Sequence, residues 1–91
     1  MADLVLPLKA EFFNAIKAGT KPEEYRLRNA YWRRRLEGRT FERIVLTLGY
    51  PKRGDTERRL VMPWRGLRVT TLQHPLFGPA PVEVYAIKVA P

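Results

Sequence analysis

An α+β fold, with a small β-barrel of five to six mainly antiparallel strands and two short helices, is what this 91-residue sequence predicts. Three observations carry that expectation. Two helix-like runs, AEFFNAIKAG and NAYWRRRLEG, each stop on a glycine in the first part of the chain. Strand-like runs fill most of the remainder, from the alternating Leu4, Leu6 and Leu8 to the closing VEVYAIKV. A Pro, Gly and Asp cluster in PKRGDTE joins two of these runs as a hairpin. In so short a chain, such strands bury their apolar faces most economically by curling together.

Taken in order, Leu4, Leu6 and Leu8 alternate with Val5, Pro7 and Lys9, and Pro7 belongs on an edge or at a bend because it brings no N–H to a ladder. The first helix sets Phe12, Phe13 and Ile16 on one face, Gly19 takes the left-handed C-cap, and Pro22 pushes Lys21 toward extended geometry. EEYRLR then alternates as a strand, with Tyr25 and Leu27 expected in the core and Glu24 and Arg26 on the other face. Asn29 suits the N-cap of a second helix whose stripe is Tyr31, Trp32 and Leu36, leaving Arg33 to Arg35 elsewhere. FERIVLTLGY is the clearest strand of all, RRLVMPW its hairpin partner and GLRVTTLQ a further strand. HPLFGPAP reads as a rigid loop.

Length and an apolar content of 45% fit one domain over residues 1–91. No apolar run approaches the roughly 18 residues that a membrane-spanning helix needs. The start MADLVLPLK has neither a basic n-region nor a long apolar h-region, so no signal peptide and a cytoplasmic location are expected. Without cysteine there is no disulfide and no thiolate zinc site, and a single histidine, His74, is too few for a protein-only transition-metal site; no metal and no cofactor are expected. Seventeen Lys and Arg against nine Asp and Glu leave a net charge of +8, with Arg far in excess of Lys. The planar guanidinium fork suits phosphate and stacks on bases, so the expected partner is RNA, a nucleotide or a modified nucleoside. No segment joins a clean apolar face to a basic one, which argues against a membrane surface. Phosphate-loop, serine-hydrolase and zinc-protease motifs are absent from the sequence.

The stretch AGTKPEEYRLR concentrates the chemistry. A Lys or Arg beside a carboxylate holds it ionised, and a partly buried lysine is drawn toward the range where it moves protons, so Lys21 and Glu24 form a candidate catalytic pair with Arg26 as a binding group. The same alternation also fits a solvated salt-bridge strip on an exposed strand. YWRRR interleaves rings and guanidinium groups, the mixture that grips phosphates and stacks bases, which makes Tyr31, Trp32 and Arg35 candidate ligand contacts. Alternatively the aromatics pack inward and the arginines face water. Lys52, Arg53, Arg58 and Arg59 at the hairpin tip either extend the basic surface or form a solvated turn. His74 reads as an ordinary loop residue.

An opening strand, a helix of the form FFxAIKxG, a Lys-x-x-Glu-x-Arg segment, a middle GY turn and a last strand like VEVYAIKV together resemble the ASCH domain, the activating-signal-cointegrator homology group of PUA-like barrels. The resemblance covers nearly the whole chain. Its most specific part is IKAGTKPEEYR, and YWRRRL with the FG of HPLFG is similar to a small single-domain phage and bacterial subgroup. It implies a cleft beside the barrel lined by Lys21, Glu24 and Arg26, and an RNA-related ligand. Family activities include RNA binding, ribonuclease action and amide hydrolysis of N4-acylated cytidines. In the amidohydrolases a Thr nucleophile and a more distant Glu join the Lys; here Glu24 occupies the place of that Thr, and Pro22 replaces another common Thr. The resemblance thus implies a small hydrolase in which Glu24 or Lys21 takes the proton from water and Arg26 or a backbone amide stabilises the oxyanion. Its alternative is an RNA-binding module or metal-independent ribonuclease using the same basic cleft.

Overall fold

Strand β1 (Asp3–Leu8) begins a computed structural model that describes residues 2–90. Its Leu4, Leu6 and Leu8 side chains are all buried, as period-two alternation dictates. Helix α1 (Ala10–Lys17) buries Phe13 and Ile16 and ends as expected: Gly19 adopts φ +83°, and its N–H donates to Ile16 O at 3.0 Å. Strand β2 (Glu23–Leu27) follows, then helix α2 (Ala30–Leu36), where the Asn29 side chain caps by accepting from Trp32 N at 2.9 Å. The remaining strands are β3 (Arg43–Leu48), β4 (Arg59–Pro63), β5 (Leu67–Leu72) and β6 (Val82–Lys88), with a single 3-10 turn at Pro75–Phe77 before the last.

The six strands form two three-stranded sheets, ordered β1-β3-β4 and β2-β6-β5. Pairing is antiparallel except between β1 and β3, which the intervening α1, β2 and α2 connect as a crossover. Leu4, Leu6, Leu8, Ile44 and Leu46 from the first sheet meet Tyr85 and Ile87 from the second, with Phe13, Ile16 and Leu36 of the helices closing the core.

The expected barrel does not close. Among the described residues no backbone ladder joins the two sheets. At the free edge of β1, Pro7 has no N–H to offer and its carbonyl accepts from Arg26 Nη2 at 3.3 Å. A side chain of β2 thus reaches from the second sheet to the edge of the first.

Two facings also differ from expectation. Cross-strand partners share a face, and Glu24 lies opposite Ile87 and Arg26 opposite Tyr85, so Glu24 and Arg26 are on the core side of β2. Tyr25 and Leu27 occupy the other side and are only half-buried. Alternation on β2 alone does not distinguish the faces, because its neighbour β6 is buried on both: Val84 through Ile87 are all at 0% exposure. On α2, Leu36 is buried and Trp32 packs against the core, but Tyr31 is 56% exposed and leaves the expected stripe.

At the end of α2, Glu37 accepts from Arg28 Nη2 at 2.9 Å and from Arg33 Nε at 3.2 Å. Above all the hydrogen bond from Arg28, and then that from Arg33, hold its carboxyl below the usual carboxylate range against the opposing effect of desolvation. A lowered folded-state pKa stabilises the fold above the unfolded value of about 4.3, and that contribution is lost as pH falls through the lower folded value. Urea unfolding followed from about pH 7 to about pH 3 is therefore expected to lose stability in acid, and Glu37→Gln to flatten part of that slope. An unchanged slope in the variant would refute the assignment.

Candidate functional site

The extended turn after α1 and the first residues of β2 bring Lys21, Glu24 and Arg26 together. The Glu24 side chain is buried, at 4% exposure. Its Oε1 is 3.5 Å from Lys21 Nζ and accepts from Tyr25 N at 3.2 Å, while Oε2 accepts from Arg26 Nη1 at 3.0 Å. An isolated buried carboxylate is costly, and here two cations and a backbone amide offset that cost. Arg26 is fixed further by donating to Tyr25 O at 3.1 Å and Pro7 O at 3.3 Å, with its guanidinium carbon 5.3 Å from the Trp32 ring centroid. Three of the five N–H donors of Arg26 are thereby used within the chain. Lys21 Nζ lies 4.8 Å from the Tyr25 ring and 5.4 Å from the Phe12 ring, so aromatic faces also steady the ammonium.

All three side chains open onto one hollow of about 310 Å³ between β1, α1, β2 and the loop after β5. Its other walls are mainly apolar, with Phe12 from α1 and Leu72, Leu76 and Phe77 from the far side. Small-molecule sites have this size and this mixture of apolar lining with a few convergent polar groups. Tyr25 also lines it, its hydroxyl donating to Glu23 Oε1 at 3.4 Å; burial first, and then the Glu23 carboxylate, push its phenol above the ordinary range. Glu23 is held by both Nε and Nη2 of Arg68, at 3.2 and 3.0 Å.

A second hollow of about 580 Å³ adjoins the first, with Pro7 and Arg26 lining both. Tyr31, Trp32 and Arg35 of α2 form one of its sides, and Val5, Pro7 and Thr47 on the outer face of the first sheet line it as well. Arg35 Nη1 donates to Tyr31 Oη at 3.3 Å, and its guanidinium carbon is 5.4 and 5.5 Å from the Tyr31 and Trp32 ring centroids. The candidate residues thus divide, with Lys21 and Glu24 in the first hollow, Tyr31, Trp32 and Arg35 in the second, and Arg26 between them. Arg33 is turned away to Glu37.

Sequence reasoning reads His74 as an ordinary loop residue, gives Tyr50 no role at the site and weighs Arg59 only as part of a basic or solvated hairpin tip. His74 lines the first hollow, its Nδ1 accepting from Leu76 N at 3.1 Å, which leaves Nε2 as the atom free to meet a ligand. Tyr50 and Arg59 line the second. No local pattern marks these positions, because each depends on how the loops fold back over the sheets. Thr20 takes no part: its hydroxyl donates to Ala15 O at 3.1 Å and finishes α1. Among the described residues no group of three or more acids or histidines is arranged to hold a metal ion. No helix among them is long and apolar enough to cross a membrane.

Set against known protein families, curated proteins and solved structures, the chain matches none. The site therefore stands on its own geometry.

The ion cluster is expected to couple strongly. In a double-mutant cycle of Glu24→Ala with Arg26→Ala, urea unfolding should give an interaction energy of about 1–3 kcal/mol, with Glu24→Ala alone costing about 3 kcal/mol because it leaves two partly buried cations without their anion. Additive single effects would show that the contact contributes nothing to the fold.

Proposed function

We propose that the chain is an ASCH-like, PUA-related domain that hydrolyses a small RNA-related amide of the N4-acylated cytidine type in the first hollow. The observation that carries this reading is the Glu24 carboxylate meeting Lys21 Nζ at 3.5 Å and Arg26 Nη1 at 3.0 Å on the wall of a largely apolar hollow. A buried acceptor beside two cationic donors complements a cytosine edge, which presents an exocyclic N–H next to acceptor atoms. A hollow of about 310 Å³ fits one nucleobase rather than a polymer.

In the reaction, a water oxygen bonds to the acyl carbon while Glu24 takes the water proton. The remaining N–H donors of Arg26 stabilise the oxyanion that develops. The bond from the acyl carbon to the exocyclic nitrogen then breaks, and the Lys21 ammonium supplies the proton that nitrogen needs to leave as an amine. A proton passing from Glu24 to Lys21 across their contact restores both groups, and the products are a carboxylic acid and the deacylated cytidine. No covalent enzyme intermediate is required.

A second reading is favoured by a separate observation: the adjoining hollow carries Arg26, Arg35, Tyr31 and Trp32, a set suited to a nucleic-acid strand. In that reading the chain is an RNA-binding module, or a metal-independent ribonuclease if the Glu24 and Lys21 pair acts on a phosphodiester.

Purified protein incubated in parallel with N4-acetylcytidine and with a labelled single-stranded RNA separates these readings. Turnover to cytidine and acetate is expected, falling at least about a hundredfold in Glu24→Gln and in Lys21→Ala. No turnover, together with RNA binding that survives Glu24→Gln and weakens steeply with salt, would replace the hydrolase by the module. RNA cleavage lost in both variants would select the ribonuclease.

A further inference from the structure

The second hollow differs in kind from the first. Three guanidinium groups and three aromatic rings line it, and no carboxylate does. Elsewhere acids pair with several of the arginines, Asp3 with Arg43, Glu37 with Arg28 and Arg33, Asp55 with Arg58, and Glu23 with Arg68, as Glu24 does with Arg26. Arg35 has no carboxylate partner among the described residues. Its guanidinium rests instead beside the Tyr31 and Trp32 rings, which leaves most of its N–H fork toward solvent.

Tyr50 completes the arrangement. Its ring is 91% exposed, yet the backbone that carries it is braced on both sides. Gly49 bends at φ +63°, its N–H donates to Leu8 O at 2.9 Å, and its carbonyl accepts from Thr47 Oγ1 at 2.7 Å. Beyond the tyrosine, the Arg59 guanidinium donates to the carbonyls of Pro51, Lys52 and Asp55, at 3.4, 3.0 and 2.8 Å. The braced backbone needs no further ordering when a planar partner stacks on the exposed ring.

We propose that this second hollow seats a nucleotide unit of single-stranded RNA, with Arg35 and Arg26 holding its phosphodiester and Tyr50 and Tyr31 offering faces to its base. The inference rests on the nucleobase reading of the first hollow for its account of what lies next door, since Arg26 and Pro7 border both sites. A phosphodiester matches the guanidinium fork, and a base matches the rings. An acidic peptide would satisfy only the charge. The unbalanced net charge of +8 draws a polyanion to the same surface.

The full chain is titrated by calorimetry with cytidine, with the trinucleotide CpCpC and with hexaglutamate, each at two salt concentrations. CpCpC is expected to bind at least about tenfold more tightly than cytidine, the scale of one stacked base, and hexaglutamate far more weakly than CpCpC. In Arg35→Gln and in Tyr50→Ala the ratio of CpCpC to cytidine affinity is expected to fall toward one, and in Arg35→Gln the salt dependence should flatten by about 0.7 in log–log slope. Both side chains are exposed and outside the core, and thermal unfolding of each variant checks that the fold is retained. The proposal is overturned if CpCpC binds no better than cytidine, if either variant keeps the full ratio, or if hexaglutamate equals CpCpC. If cytidine alone fails to bind while CpCpC binds through Arg35 and Tyr50, the second subsite stands and the reading of the first hollow falls.

Discussion

The Glu24 carboxylate, taken almost wholly out of water at the seam between two sheets, is the constraint around which the rest is arranged. Removing such a group from solvent costs several kcal/mol, so its neighbours have to compensate. Lys21, the Tyr25 amide and Arg26 do so, and each is held in turn by what it compensates. Through Arg26 the effect reaches other elements: one guanidinium touches the carboxylate on its own strand, the Pro7 carbonyl on β1 and the Trp32 ring on α2. One buried charge thus orients a strand, an edge and a helix together. The chemistry proposed for the first hollow uses groups that the fold already has to hold still, so little reorganisation remains for a ligand to induce.

The two hollows share a wall and divide the work of recognition. The first is small and mostly apolar, with its one carboxylate held by two cations, the character of a place that selects shape and hydrogen-bond pattern. The second is larger and rich in guanidinium and ring surface without acid, the character of a place that attracts and holds. Arg26 belongs to both, bound to Glu24 on one side and stacked near Trp32 on the other. A ligand long enough to occupy both sites would feel the charge of one and the fit of the other.

Much of the architecture was legible from local pattern. Leu4, Leu6 and Leu8 marked β1, Gly19 ended α1 and Asn29 capped α2, because each of these signals is a short-range matter of periodicity or backbone conformation. Pro7 was placed on an edge for the same reason. The face of β2 was not legible: Tyr25 looks like the core residue and Glu24 like the exposed one, but β6 beside it is buried on both faces and local ion pairs let Glu24 take the inner one. The gathering of Lys21, Glu24 and Arg26 followed from sequence proximity. By contrast His74 and Tyr50 enter the hollows from loops and Arg59 from the start of β4, all distant in the chain, and no periodicity encodes such an approach. Closure into a barrel is an expectation raised by strand counting alone, which does not weigh how edges such as that of β1, with no N–H at Pro7, come to pair.

That missing donor has a wider consequence. An uncovered strand margin invites a foreign chain to add itself, rung by rung, and proteins that leave margins open usually guard them with charge or kinks. Here the guard is a ring at Pro7 whose carbonyl is already taken by Arg26, so β1 offers an intruding strand neither a proton nor an acceptor at that rung. At that rung an imino acid thereby shields the margin from misassembly.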